Sequence, residues 1–372
     1  MRRNVWHSSI DIMYLSKAND EDWKYPQTEP YASGFLEVEN KTHRIYWSEY
    51  GNPNGEAVIC VHGGPGGGSD AFVARFFDPK RFRVLMFDQR GCGKSTPSAS
   101  SNDVDAALTN NTTLNLIDDM NKLRAHRQID TPMHVFGGSW GSTLSLAYAI
   151  AYPSNVRSLI LRGIFLCRKR DLDFFYQGNA ATFEQDRFDT TLPGAYMQYP
   201  EAWENFVKVI PENERYDMIA AYNRLFSCSP RTSGDVECQD EAARAWSSWE
   251  GSTSYLAPPR SSLDQYEELS FAKAFARIEN HYFMNGAFLG GKGQSNRSQN
   301  YIIENVHRLL TIPIHIVHGR FDNVCPMFQA DELLSALQRA GHKNVELRRP
   351  PAGHSMAERE NCLALTDIIE HL

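Results

Sequence analysis

GGSWGSTLSLAYAIAYP, residues 137–153, sets glycines around a serine and a tryptophan and then runs into alanine and leucine. Immediately before it, Met133-His134-Val135-Phe136 reads as a short buried strand. After it, Leu144, Ala147, Tyr148 and Ala151 recur at helical spacing. A strand, then Gly137-x-Ser139-x-Gly141, then a helix is the context of a nucleophile elbow. The glycines permit a turn that a side chain on either flank would block. Ser139 is then pushed out at the top of a sheet, over the N-terminus of the following helix. Taken alone, the motif reads more readily as a plain Gly/Ser turn; the flanking strand and helix favour the elbow.

Outward from the elbow, short apolar runs recur at 57–62 (AVICVH), 84–88 (VLMFD), 156–161 (VRSLIL) and 312–318 (IPIHIVH). Such runs predict strands buried on both faces, as in a parallel sheet. Ahead of them, GFLEVENKTHRIYWSEYG (34–51) alternates apolar and polar residues about Glu39-Asn40-Lys41, which predicts an antiparallel hairpin. Amphipathic stretches lie between the runs: Leu116, Met120 and Leu123 share one face, and Leu333, Leu334 and Leu337 another, with Gly341 as a stop. NCLALTDIIEHL at the C-terminus is again helical in pattern. Strands alternating with helices predict an α/β, mostly parallel, doubly wound sheet.

The rhythm breaks from residue 169 to residue 305, which is dense in aromatics, helical in texture and without clear strands. Because a strand pattern resumes at Ile312, this stretch reads as a helical cap domain inserted into a core formed by 1–168 and 306–372. A separate second domain is the other arrangement. Residues 1–24 form an N-terminal extension of no assigned role. The chain has 372 residues, 42% hydrophobic and 22% charged, enough to bury a large core. A net charge of −7 and the lack of basic runs argue against a nucleic-acid surface. Seven cysteines without a C-x-x-C pair argue against a zinc ribbon or a disulfide framework, and no metal or cofactor is expected. With no signal-peptide or membrane-length apolar run, no membrane partner is expected and cytoplasm is the expected location.

A serine nucleophile needs a base, and the base needs an orienting carboxylate. Asp322, in HGRFDNVCP (318–326), lies just past the 312–318 run, and His354, in PPAGHSMAE (350–358), just past the strand-like VELRR. Both stand where loops at the carboxyl edge of a parallel sheet converge, in the order Ser, Asp, His that α/β-hydrolase chains follow. An oxyanion hole needs two backbone N–H groups. Trp140, after the serine, is one candidate. Gly64, in the HGGPGGG loop (62–68) that follows AVIC, is the other. That loop lacks the spacing of a dinucleotide site, and Gly93-Lys94-Ser95 lacks the first glycine of a Walker loop, Asp88 standing in its place.

HGGPGGG, FDQRGCGKS, GGSWGSTLSLAYA, LRGIF, WSSWEG, ARIENHYF, HGRFDNVCP and AGHS, in this order, resemble the proline iminopeptidases (prolyl aminopeptidases) from about Tyr25 to the C-terminus. The resemblance implies an α/β-hydrolase fold and removal of N-terminal proline through a prolyl-enzyme, with peptides bearing a free N-terminal proline as partners. It implies that Glu250 and Glu279 hold the cationic imino group. It further implies that Phe165, Phe175, Phe283 and Cys325 wall the pyrrolidine pocket. Phe175 stands where members of the family often carry Tyr. Two other readings keep weight. A carboxylesterase or amidase of the same fold would have no use for Glu250 and Glu279, and a non-catalytic binding protein should have lost Ser139, Asp322 or His354. An epoxide hydrolase or dehalogenase would carry Asp at the apex, which Ser139 opposes.

Overall fold

The computed structural model describes residues 25–187, 189–227, 232–289 and 300–372. The N-terminal extension expected over 1–24 lies outside them. The sheet is built from β1 (Ala32–Val38), β2 (His43–Gly51), β3 (Glu56–Val61), β4 (Phe82–Phe87), β5 (Met133–Ser139), β6 (Val156–Ile164), β7 (Ile314–Val317) and β8 (Val345–Arg348). Their spatial order is β1-β2-β4-β3-β5-β6-β7-β8. The hairpin read at 34–51 is β1–β2, antiparallel and turning through Glu39–Lys41. β2 also meets β4 antiparallel, and every later pairing is parallel.

The apolar runs are continuous because alternate residues serve opposite faces. Ile59 and Val61 of β3, with Leu85 and Phe87 of β4, join the core under the helices Thr113–His126, Trp140–Ala151 and Phe328–Arg339. Val58, Cys60, Val84 and Met86 join the other core, under Ala71–Phe76 and Arg359–Glu370. The central strands are therefore covered on both faces, whereas β1 at the sheet's edge alternates exposed and half-buried residues.

The order of the strands decides where a site can form. From β3 the chain steps outward to β4 and then returns to β5 on the other side of β3. Loops leaving the carboxyl ends of β3 and β5 therefore part in opposite directions and open a crevice between them. HGGPGGG leaves β3 and Ser139 ends β5, so both border that crevice.

Between β6 and β7 every described element is helical. The longest helix, Ser233–Thr253, starts where Thr232 and Asp235 exchange side-chain-to-backbone hydrogen bonds of 2.9 and 3.3 Å. Leu269–Met284 starts where the Glu268 carboxylate accepts from the N–H groups of Ser270 and Phe271, at 3.0 and 2.8 Å. These helices pack through aromatic rings: Tyr176 stacks on Trp246 at 4.5 Å, and Phe206 on Tyr222 at 4.8 Å. Contacts of this kind add about 0.5–1.5 kcal/mol each beyond the area they bury.

Candidate active site

Ser139 ends β5 and Trp140 begins the next helix with no residue between them. The reversal is taken up at Ser139 itself, whose φ of 58° and ψ of −128° are strained for a residue with a Cβ. Both flanking glycines are forced by close approach. A Cβ at Gly137 would stand 2.4 Å from the Gly141 carbonyl oxygen, and one at Gly141 would stand 2.2 Å from that of Val61. Ser142 Oγ donates to the Ser139 carbonyl at 2.7 Å and accepts from the Phe165 N–H at 3.1 Å, fixing the end of β6 to the elbow.

Asp322 and His354 meet from two loops. The imidazole Nδ1–H donates to Asp322 Oδ2 at 2.7 Å, while Oδ1 accepts from the N–H groups of Val324 and Cys325 at 3.0 and 2.8 Å. Burial alone would raise the Asp322 pKa, but His354 and these donors outweigh it and hold the carboxyl below its ordinary range. Burial holds His354 below its ordinary value despite the neighbouring carboxylate, so the imidazole is kept neutral. With the proton on Nδ1, Nε2 is left as an acceptor. His354 lies against Gly163 of β6, where a Cβ would stand 3.1 Å from its Cε1. Ser139 is in register with Ile164 of the same strand, so serine and imidazole occupy neighbouring strand ends.

One cavity, with about 290 Å³ of free space including its mouth, is lined by Gly64, Ser139, Phe165, Asp171, Leu172, Phe175, Tyr176, Glu250, Phe283, Val324 and Cys325. Seven of the residues expected from sequence thus share one wall. Phe165 and Phe283 meet edge to face at 6.0 Å. The Cys325 thiol is buried, which pushes its pKa well up. Trp140 presents no side chain to the cavity; its ring is buried beneath the elbow, and its N–H, first in the helix, has no carbonyl one turn back to bind.

Glu279 is set apart from this lining. Its Oε2 accepts from Trp246 Nε1 at 2.7 Å and lies 3.5 Å from the Tyr176 hydroxyl. The same hydroxyl donates a short hydrogen bond to Glu250 Oε1, so Tyr176 bridges the two carboxyl groups. Burial pushes Glu250 up to about 7, and burial together with the charge of Glu250 lifts Glu279 well above the carboxylate range. Burial and mutual repulsion thus disfavour two full charges on the pair. A cation in the cavity would supply what both lack.

Sequence reasoning passed over four supporting residues. Tyr176 is one. Asp171, on the cavity wall, is held by the Arg168 guanidinium at 2.8 Å. Arg162 is buried and donates to the His354 carbonyl at 2.8 Å. His318 accepts from the Ile164 N–H at 3.0 Å through Nδ1, so its Nε2–H donates to the Cys325 carbonyl at 2.6 Å, 3.6 Å from Asp322 Oδ2. Arg162 and His318 sit in motifs read above, but the motifs do not show their partners. Among the described residues, no three His, Cys, Asp or Glu side chains group as a metal site requires.

The helix Leu269–Met284, which carries Glu279 and Phe283, rests directly on the glycine loop. A Cβ at Gly64 would stand 3.1 Å from Phe275, and one at Gly66 3.2 Å from Ile278. The loop after β3 and the inserted helices are therefore one packed unit.

The profile of the α/β hydrolase fold family matches residues 56–359. A proline iminopeptidase from Arabidopsis thaliana is 44% identical over 90% of this chain and 78% of its own length. One from Xylella fastidiosa is 42% identical over 92% of this chain and 96% of its own. A crystal structure of an esterase from a Rhodococcus species superposes with a TM-score of 0.54 at 16% identity, covering 91% of this chain and 98% of that one, a likeness of fold alone. With its glycine loop, elbow and carboxylate-bearing helices joined in one unit, the chain belongs to the proline iminopeptidase family of α/β hydrolases.

Proposed function

We propose that this protein is a serine aminopeptidase that releases N-terminal proline from peptides, with residues 169–305 acting as its cap. The observation that carries the reading is that Ser139 and a buried carboxyl, Glu250, border the same small, aromatic-walled cavity. Close aromatic walls at Phe165, Phe175 and Phe283 suit a pyrrolidine ring, and a charge-starved carboxyl suits a cationic imino group.

In this mechanism the substrate's imino cation enters against Glu250, backed by Tyr176 and Glu279, and sets the proline carbonyl over Ser139. Ser139 Oγ bonds to the carbonyl carbon as its proton passes to His354 Nε2, and the C=O pair moves onto oxygen. That oxyanion is met by the N–H groups of Gly64 and Trp140. When the oxyanion collapses, the C–N bond breaks and His354 gives its proton to the departing amine. A water, deprotonated by the same imidazole, then attacks the prolyl ester and frees Ser139. Asp322 remains ionised throughout and stabilises the imidazolium. A cytoplasmic setting is part of this reading, in keeping with seven cysteines scattered along the chain without a C-x-x-C pair.

The test compares three substrates on one preparation. Prolyl-β-naphthylamide should be cleaved efficiently, N-acetyl-prolyl-β-naphthylamide at least ~100-fold less well, and p-nitrophenyl acetate slowly. Equal rates on the free and acetylated amides would leave an esterase or amidase as the better description.

A further inference from the structure

Gln89 touches neither the cavity nor the Asp322–His354 pair, yet it is fully buried two residues beyond β4. Its side chain is held at both ends. Nε2 donates to the carbonyl of His62, which opens the glycine loop, at 2.9 Å. Oε1 accepts from the indole Nε1–H of Trp140 at 2.9 Å. The orientation of the amide is not free. An indole N–H can only donate and a carbonyl can only accept, so the flipped amide would lose both bonds.

The backbone adds a third tie. The Gln89 N–H donates to His62 Nε2 at 2.9 Å, which leaves the imidazole proton on Nδ1, 2.9 Å from the Gly63 carbonyl. Burial favours this neutral ring. The Trp140 ring is also met edge to face by Tyr282 at 4.8 Å and is fully buried, which packs the indole in place. One amide thus spans the gap between the loop that carries Gly64 and the elbow that carries Trp140.

We propose that Gln89 is a positioning residue that sets the separation of the two oxyanion donors, and so governs binding of the tetrahedral state but not of the ground state. The proposal rests on the reading of Gly64 and Trp140 given above. A residue that merely filled the core would affect stability, or both kinds of binding together.

The test uses two ligands. Proline, the product, forms no bond to the enzyme. In prolinal the aldehyde carbon bonds to Ser139 Oγ, the C=O pair becomes an oxyanion and the serine proton passes to His354. Removing an oxyanion donor outright costs roughly 10²–10³ in rate, and displacing one should cost less. Gln89→Leu should lower kcat/KM on prolyl-β-naphthylamide by about 10–100-fold and raise the prolinal Ki by the same factor. The proline Ki should stay within about threefold. Trp140→Phe keeps an aromatic ring and the backbone N–H but removes one of the same bonds, so it should act in the same direction. The double variant should be no worse than Gln89→Leu alone within about threefold, because both act through one link.

If prolinal and proline weaken together, or prolinal does not weaken at all, the proposal fails; should Gln89→Leu not fold, Trp140→Phe decides by the same two constants. If prolinal binds the wild type no better than proline, or binds Ser139→Ala as well as the wild type, the underlying serine mechanism fails and takes the proposal with it.

Discussion

The protein holds buried carboxyl groups in two settings, and they are opposites. Asp322, at the edge of the sheet, is saturated: two backbone N–H groups and the His354 imidazole meet it, and its pKa is depressed. Glu250 and Glu279, among the inserted helices, are starved: a shared tyrosine hydroxyl and one indole are the donors set against them, and both pKa values are raised. The sheet edge is complete before substrate arrives. The helical half holds two carboxyl groups short of donors. On the proposed mechanism, chemistry and selectivity are separated in space, which makes them separable by mutation.

The largest effect should come from the half that both substrates share. Ser139→Ala should cost four or more orders of magnitude in kcat on prolyl amides and abolish p-nitrophenyl acetate turnover, with the fold intact. A purified variant with a tenth of the wild-type rate would rule out the serine as nucleophile.

The same isosteric swap, carboxylate to amide, should then read out differently in the two settings. Asp322→Asn turns an acceptor towards His354 into a donor and favours the wrong tautomer, so amide and ester cleavage should both fall by about 10⁴. Glu250→Gln should cost prolyl-amide cleavage ~10²-fold or more, since a buried cation loses its counter-charge. Ester hydrolysis should stay within about tenfold. Parallel losses on both substrates in Glu250→Gln would erase the division of labour.

Much of this layout was legible in the sequence, and the reasons are physical. Both faces of the central sheet are covered, so its inner strands appear as unbroken apolar runs. Gly137 is demanded by the Gly141 carbonyl four residues on, an approach that a local motif can report, whereas Gly141 answers to the Val61 carbonyl of the neighbouring strand. Tyr176 was not legible, because Asp173–Gln177 forms a π-type turn, and neither helical nor strand spacing tells which ring of Phe174-Phe175-Tyr176 faces the carboxyl groups. Gln89 and His318 were hidden for another reason. Their partners, His62, Trp140 and Ile164, are 27, 51 and 154 residues away in the chain, and only the folded sheet edge brings them together.

A smaller effect concerns acid. His354 must be neutral to take the serine proton, and burial lowers its pKa, so ester hydrolysis should persist to below pH 6.5. Prolyl-amide kcat/KM carries an added requirement, because the free enzyme must present a charged carboxylate. With Glu250 at about 7, that limb should fall at higher pH than the ester limb. The kcat for the amide should follow the lower limb, since a bound cation stabilises the carboxylate. Coincident kcat/KM limbs for the two substrates would remove Glu250 from recognition.

The smallest effect is on stability, and it runs against activity. Glu250 binds its proton more tightly folded than unfolded, its pKa rising from 4.5 to about 7. A carboxyl raised in this way costs nothing below the unfolded value, and the cost grows as pH climbs from there to the folded value. Above pH 7 it reaches about 3 kcal/mol. Glutamine at this position keeps an acceptor for the Tyr176 hydroxyl and carries no charge to desolvate. Glu250→Gln should therefore match the wild type in thermal midpoint near pH 4.5 and exceed it by a few degrees at pH 8, while having lost its prolyl-amide activity. Midpoints that differ by the same amount at both pH values would mean that Glu250 is not held at a cost in the free protein. The contrast between a finished carboxylate and a waiting one would then have to be given up. If the gap opens with pH, the strain needed to hold the cation site is measured directly, in the absence of any substrate.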